Sequence, residues 1–210
     1  LGAAIESWDV NGNSIENLTG ELIMTKPMPS MPIYFWGDNN FEKYHDSYFS
    51  NNSNVWTHGD WISIDSKRGI LMQGRSDATL NRNGIRIGTS EIYMALDRLD
   101  NIKDALIIEF PIEGEANSQL LLFVVASRPL NDKSKTEIKQ HLRKQCSPRH
   151  TPDYIIPVKE IPYTISGKKM EIPVKKIFLG LPLEKVAASG AMRNPESLNA
   201  FVEIKNKMNF

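Results

Sequence analysis

The chain has 210 residues, of which 40% are hydrophobic and 24% are charged, a composition typical of a globular protein with one to two domains. Basic and acidic residues each number 25, so the net charge is zero and whole-molecule binding to nucleic acid or an acidic membrane is not supported. The single cysteine, Cys146, cannot form an internal disulfide, which favours a reducing, cytoplasmic setting. The longest apolar run, residues 120–126, is too short to cross a bilayer, so we expect no membrane span.

The N-terminal part of the chain, up to about residue 74, is predicted to form strands and turns. Short apolar runs cut by Gly, Pro and Asn occur in GELIMT, MPIYFW, DWISID and GILMQG. Between them, NFEKYHDSYFS (residues 40–50) places aromatic residues at helical spacing. The chain begins with neither an initiator methionine nor a signal-peptide pattern, so we expect a fragment of a longer protein.

The pattern changes near GRSDATL (residues 74–80), where a boundary between two domains is expected. A helix is predicted in TSEIYMALDRL, with Thr89 or Ser90 as N-cap, and strands in DALIIEF and LLLFVVA. NDKSKTEIKQHLRKQ predicts a second helix, in which Ser134 and Glu137 have capping-box spacing. A strand near residues 154–158 and an amphipathic run at 172–179 complete a small α/β domain.

Two lysines, Lys168 and Lys169, follow a Ser-Gly turn in IPYTISGKK (residues 161–169). Glycine at position 167 permits a positive φ and a close ligand approach, and a lysine beside it can extend as a mobile charge into a cleft. On this motif alone a solvated turn is the more common structure. His58, His141 and His150 lack metal-ligand spacing, so no metal site is expected from them.

Three motifs, taken together and in order, resemble the adenylate-forming enzymes, the superfamily of acyl-CoA synthetases, peptide-synthetase adenylation domains and luciferases. These motifs are WTHGDW (56–61), GRSDATLNRNGIRIGTSEI (74–92) and IPYTISGKK (161–169). Further segments are similar to the branch of that superfamily that activates acetoacetate: TKPMPSMPIYFW, PRHTPD and SGAMRNPESLNAF. Other short-chain members usually carry a second acid where this chain has Ala78.

The resemblance implies an α+β fold in three parts. Residues 1–76 would be the β-rich end of the large AMP-binding domain, a distorted barrel subdomain. Residues 77–180 would be the mobile C-terminal α/β domain. Residues 181–210 would be a C-terminal extension with a short helix, for which Asn194 and Pro195 are a plausible N-cap and first helical position.

The resemblance also implies nucleotide-binding roles for three residues. Asp60 matches an aspartate that accepts hydrogen bonds from the ribose hydroxyls, Arg75 an arginine that contacts the ribose, and Arg86 an arginine near the ATP phosphates. The alternatives are an exposed turn aspartate, a surface ion pair and a strand-edge arginine, respectively.

Four more residues match functional positions of the family. Lys168 would be the catalytic lysine of the adenylation step, stabilising charge on the attacking carboxylate and the α-phosphate. Asp77 would be the hinge residue, Gly84 would allow the CoA arm to approach, and Arg143 would lie near the CoA phosphates. The alternative for Gly84 is an ordinary Asn-Gly turn, and the alternative for Arg143 is a solvated helix arginine.

The implied activity is that of an ATP-dependent acid-thiol ligase, which activates acetoacetate as acyl-AMP and transfers it to CoA. Its small-molecule partners would be acetoacetate, ATP with Mg²⁺, and CoA, together with the missing N-terminal part of the same enzyme. The fragment alone is expected to be inactive, because the family places the phosphate loop and acyl pocket upstream. Alternatives are a ligase for another short-chain acid and a non-catalytic nucleotide- or CoA-binding fragment. A nucleic-acid role is disfavoured, because acids interleave the lysines of residues 133–176.

Overall fold

The computed structural model describes residues 2–76, 78, 80–82, 85–111 and 118–208, and the chain divides into two compact units, Leu1–Asp77 and Ala78–Phe210. The first unit contains β1 (Ile5–Trp8), β2 (Thr19–Met24), α1 (Glu42–Tyr48), β3 (Trp56–Ile64) and β4 (Ile70–Arg75). The second contains β5 (Leu80–Arg82), β6 (Ile85–Ile87), α2 (Thr89–Leu96), β7 (Ile102–Pro111), β8 (Ser118–Ala126), α3 (Asp132–Gln145), β9 (Tyr154–Pro157), α4 (Glu171–Phe178), α5 (Leu183–Val186) and α6 (Ser197–Met208). The predicted mixed class of helices and sheets is confirmed.

The first unit is built on a four-stranded antiparallel sheet in the order β1-β2-β3-β4. Its β-rich character was predicted, but these described strands form an open sheet and not a closed barrel. One face of the sheet is closed by α1, where the ring of Tyr48 stacks on the Trp56 indole with 3.5 Å between ring centroids. The run MPIYFW is not a strand but an irregular segment that ends in a turn, and Trp36 in it is 94% exposed.

The sheet of the second unit has the order β7-β8-β9, with β7 and β8 antiparallel and β8 and β9 parallel. Alternate residues of β8 enter two different cores: Leu120 and Leu122 lie on one face of the sheet, Leu121 and Phe123 on the other. Because both faces are covered, the strand is a continuous apolar run without polar alternation. All three predicted strands of this unit are observed.

Helices cover both faces of this sheet. On one face α2 and α3 pack with β5 and β6, and on the other face α4, α5 and α6 pack together. The C-terminal helix is part of the core, because Phe201 is fully buried with its ring centroid 4.8 Å from that of Phe123. Fully burying such a side chain contributes about 1.5–3 kcal/mol, so the extension is tied to the unit.

The predicted helices exist, but their caps differ from those predicted. Helix α2 is preceded by Gly88, whose extended backbone occupies the N-cap position. For α3 the N-cap is Asn131, whose side chain accepts a hydrogen bond from the Ser134 backbone N–H at 2.8 Å. The C-terminal helix is 12 residues long and begins at Ser197, so Asn194 is not its N-cap. Instead, the Asn194 side chain binds the segment that precedes the lysine turn.

Among the described residues no helix combines the length and apolar character that a membrane span requires.

The proposed division of the chain into two enzyme domains and an extension stays a prediction.

Candidate functional site

Asp60 and Arg75 lie opposite each other on neighbouring strands. They are register partners of β3 and β4, and the Arg75 Nη1 atom is 3.7 Å from Asp60 Oδ1. The carboxylate of Asp60 is only 15% exposed, whereas the Arg75 side chain is 48% exposed. The structure therefore brings together the two residues predicted to bind the ribose, a half-buried acceptor and an accessible donor.

Trp56 and His58 lie next to the Asp60 carboxylate. The Trp56 indole N–H donates to His58 Nδ1 at 3.2 Å, and His58 Nε2 lies 3.3 Å from Asp60 Oδ2. Because Nδ1 accepts the indole proton, the Nε2 side of the His58 ring faces the Asp60 carboxylate. His58 thus contacts Asp60, the predicted ribose acceptor.

Sequence reasoning missed Glu21, which lies beside this pair on β2. Its Oε1 atom accepts a hydrogen bond from the Gly59 backbone N–H at 2.9 Å. Burial raises the pKa of the Glu21 carboxyl, and nearby Asp60 raises it further against the opposing hydrogen bonds. Gly59 has a φ of 82°, and a Cβ there would lie 3.1 Å from Arg75 Nη2, so glycine is favoured at this point of β3.

Lys168 lies on a hairpin formed by residues 163–169. The Thr164 backbone N–H donates to the Lys168 carbonyl at 2.9 Å, and the Lys168 N–H donates to Thr164 Oγ1 at 3.0 Å. Gly167 closes the turn with a φ of 81°, the conformation that the Ser-Gly pair predicted. The Lys168 side chain is exposed, and within the described residues it has no hydrogen-bond or ion-pair partner, so its charge is available to a ligand.

The neighbouring lysine anchors this hairpin to β7. Lys169 Nζ donates to Asp104 Oδ1 at 2.7 Å and to the Ala105 carbonyl at 2.6 Å, and it lies 4.2 Å from the centroid of the Tyr93 ring. The other carboxylate oxygen, Asp104 Oδ2, accepts from the Tyr163 hydroxyl at 2.9 Å. Lys169 therefore supports the hairpin through its contacts with β7.

Two tyrosine phenols in this network are held in the neutral form. Burial raises the pKa of Tyr163, and the hydrogen bond to Asp104 and its charge add to the shift. Burial also raises the pKa of Tyr93 well above its ordinary value, with Glu171 the next cause. Neutral phenols remain hydrogen-bond donors at neutral pH, so Tyr163 keeps its bond to Asp104 and Tyr93 donates to Glu171 at 3.0 Å.

The remaining predicted residues are placed as follows. Arg143 is exposed in the last turn of α3, and in the described part of the chain its side chain has no hydrogen-bond or ion-pair partner. The Arg86 backbone belongs to β6, opposite Asn81, and the Arg86 side chain lies outside the described part. Asp77 and Gly84 lie outside the described residues.

Comparison with known proteins shows which proteins the chain resembles. Residues 91–168 match the family model of the AMP-binding enzyme C-terminal domain. An anthranilate CoA ligase solved in complex with anthranoyl-AMP superposes with a TM-score of 0.67 over 80% of this chain and 32% of its own, and at 20% identity this likeness concerns the fold.

Over its whole length the chain is similar to acetoacetyl-CoA synthetases. It is 40% identical over its whole length to the Danio rerio enzyme and 41% identical over 98% of its length to the Caenorhabditis elegans enzyme. The solved acetoacetyl-CoA synthetase from Streptomyces lividans is 41% identical over 99% of this chain, with a TM-score of 0.91. The chain spans about 31% of the length of the Danio rerio and Streptomyces lividans proteins.

Proposed function

We propose that this chain is the C-terminal part of a full-length acetoacetate-CoA ligase that forms acetoacetyl-AMP and then acetoacetyl-CoA. The observation that carries the proposal is the lysine hairpin, which is anchored to β7 through Lys169 while Lys168 remains exposed without a protein partner in the described part of the chain. The identity of about 40% to acetoacetyl-CoA synthetases across the whole chain supports acetoacetate as the acid.

In the first half-reaction a carboxylate oxygen of acetoacetate attacks the α-phosphorus of ATP. A bond forms between that oxygen and phosphorus, the bond to the bridging oxygen breaks, and pyrophosphate leaves. Negative charge is concentrated on the non-bridging oxygens in the transition state, where a cation lowers the barrier without proton transfer. In this proposal Lys168 supplies that cation, because its ammonium group is exposed at the end of a hairpin.

The proposed nucleotide contacts lie on β3 and β4. Asp60 would accept hydrogen bonds from the ribose hydroxyls, and Arg75, whose Nη1 atom lies 3.7 Å from Asp60 Oδ1, would donate to the ribose from its exposed guanidinium. Arg86 would contact the ATP phosphates. Asp77 would be the hinge that absorbs backbone rotation between the two half-reactions.

In the second half-reaction the CoA thiolate sulfur attacks the acyl carbon, and AMP leaves with the electron pair of the acyl-oxygen bond. Arg143 is proposed to bind a CoA phosphate, because its guanidinium is exposed and, among the described residues, unpaired. Gly84 would allow the CoA arm to pass.

Mg²⁺ is proposed as the ion that accompanies ATP, and no step is assigned to it. The described residues contain no group of three or more His, Cys, Asp or Glu side chains that could hold a metal ion.

The proposal places the ligase in the cytoplasm, in lipid metabolism and ketone-body utilisation, with the free thiol of Cys146 as support for a reducing setting.

The test separates the two half-reactions in the full-length protein. Lys168→Ala should reduce acetoacetate-dependent pyrophosphate release by about 100-fold or more, as loss of one electrostatic contact to a transition state does. The same variant should still convert supplied acetoacetyl-adenylate and CoA into thioester. Lys159→Ala, which removes another exposed lysine of the same unit, is the matched control. Normal pyrophosphate release by Lys168→Ala would refute the proposal.

Arg143→Ala should give the opposite pattern. Adenylation should be unchanged, and the CoA concentration for half-maximal thioester formation should rise about tenfold or more, since a charge-assisted hydrogen bond contributes about 1.5–3 kcal/mol. Lys144→Ala removes a neighbouring exposed charge of the same helix end and serves as control.

Pyrophosphate release measured with acetate, acetoacetate, butyrate and longer acids distinguishes acetoacetate from another short-chain acid. No release with any acid would favour a non-catalytic binding role.

A further inference from the structure

The C-terminal extension pairs with the hairpin that carries Lys168. The Ile165 backbone N–H donates to the Ala191 carbonyl at 3.0 Å, and the Arg193 N–H donates to the Tyr163 carbonyl at 2.9 Å. Between them Thr164 and Met192 form an antiparallel bridge. Residues 163–165 therefore lie between two strands, the returning arm of the hairpin on one side and residues 191–193 on the other.

The side chain of Asn194 completes this pairing. Its Oδ1 atom accepts from the Tyr163 backbone N–H at 3.0 Å, while its Nδ2 group donates to the Ile161 carbonyl at 2.9 Å and to Glu160 Oε2 at 2.7 Å. A single amide thus binds three groups on the segment that leads into the hairpin. This use of Asn194 explains why it does not cap helix α6.

Arg193 adds a contact at the turn itself. Its guanidinium carbon lies 5.8 Å from the centroid of the Tyr163 ring, and Nη2 is 3.4 Å from the position that a Cβ on Gly167 would occupy. The extension is anchored in turn by the core, where Met192 and Leu198 are buried. A rigid part of the unit therefore supports the outer edge of the hairpin.

We propose that residues 191–194 are a positioning element for Lys168, and this inference rests on the catalytic role proposed above. An isolated two-stranded hairpin is marginally stable in water, and a third strand with a packed face is what gives independent stability. The extension supplies that third strand, so it restricts the conformations of the turn and fixes where Lys168 is presented. A small misplacement of a catalytic group costs up to about 100-fold in rate.

The experiment compares Asn194→Ala with Asn199→Ala in the full-length protein. Asn199 is an exposed asparagine of the same extension that bonds only to Glu196 among the described residues, so its loss should change nothing. Asn194→Ala should lower the rate of pyrophosphate release about tenfold or more and keep thioester formation from supplied acetoacetyl-adenylate within about twofold. Hydrogen exchange of the backbone amides of residues 164–168 should become faster in this variant only.

A second pair of variants separates strand pairing from side-chain contact. Arg193→Pro removes the backbone donor to Tyr163, whereas Arg193→Ala keeps it, so proline should reduce adenylation more than alanine. Unchanged adenylation in Asn194→Ala, or an equal fall of both half-reactions, would overturn the inference. If Lys168→Ala also adenylates normally, the proposed function itself fails, and if only Asn194→Ala is normal, the positioning role alone fails.

Discussion

Replacing Asp104 by asparagine removes the negative charge that joins the lysine hairpin to β7, with almost no change in shape. In the wild type the carboxylate accepts from Lys169 Nζ at 2.7 Å and from the Tyr163 hydroxyl at 2.9 Å. The amide of the variant offers a neutral oxygen to one partner and a nitrogen donor to the other, so both bonds remain but become weaker without the negative charge.

The expected loss follows from these two bonds. A hydrogen bond to a charged group contributes about 1.5–3 kcal/mol and a neutral one about 0.5–1.5 kcal/mol, so two replacements cost about 2–3 kcal/mol. The side chains of Asp104 and Lys169 are each 23% exposed, so solvent screening favours the lower end of that range, about 2 kcal/mol. The equilibrium constant for opening of the hairpin should therefore increase about 30-fold.

Amide hydrogen exchange in the full-length protein, read for β7 and for residues 163–170, measures this opening. Asp100→Asn makes the same chemical change at an exposed aspartate without a partner in the described part of the chain and should leave exchange unaltered. Less than a threefold increase in exchange in Asp104→Asn, with the fold intact, would refute the view that this carboxylate anchors the hairpin.

Three further changes test other parts of the structure. Gly59→Ala should cost about 1–2 kcal/mol, because φ is 82°, and should raise KM for ATP by displacing Arg75; a thermal melt and steady-state kinetics check both. Asn131→Ala removes the cap that accepts from Ser134 and should destabilise α3 by about 1 kcal/mol, seen as faster exchange in its first turn. Burial raises the pKa of Glu21, so its stabilising contribution is present below pH 4.5 and is lost as pH rises through the raised folded value. The free energy of unfolding of Glu21→Gln, relative to that of the wild type, should therefore increase between pH 4 and pH 7. Denaturant unfolding of both proteins at the two pH values measures this difference.

The sequence by itself determined the local structure of this protein. The apolar run of residues 120–126 identified a buried strand, and the Ser-Gly pair before Lys168 identified a turn with positive φ, as observed at Gly167. These features depend on hydrophobic periodicity and on the conformational freedom of glycine, both of which act over a few residues. The order and spacing of the motifs also identified the relatives that the comparisons confirm.

Only the tertiary structure decided which side chains support those motifs. Asp104 lies 65 residues before Lys169, and Glu21 lies 38 residues before Gly59, so neither partnership leaves a trace in local spacing. Asn194 followed by proline resembles a helix start in sequence, yet its amide has three partners on residues 160–163, and Ser197 begins the helix instead. Such pairings are set by strand register and by the burial of polar groups that need partners, and both become defined only when distant segments pack together.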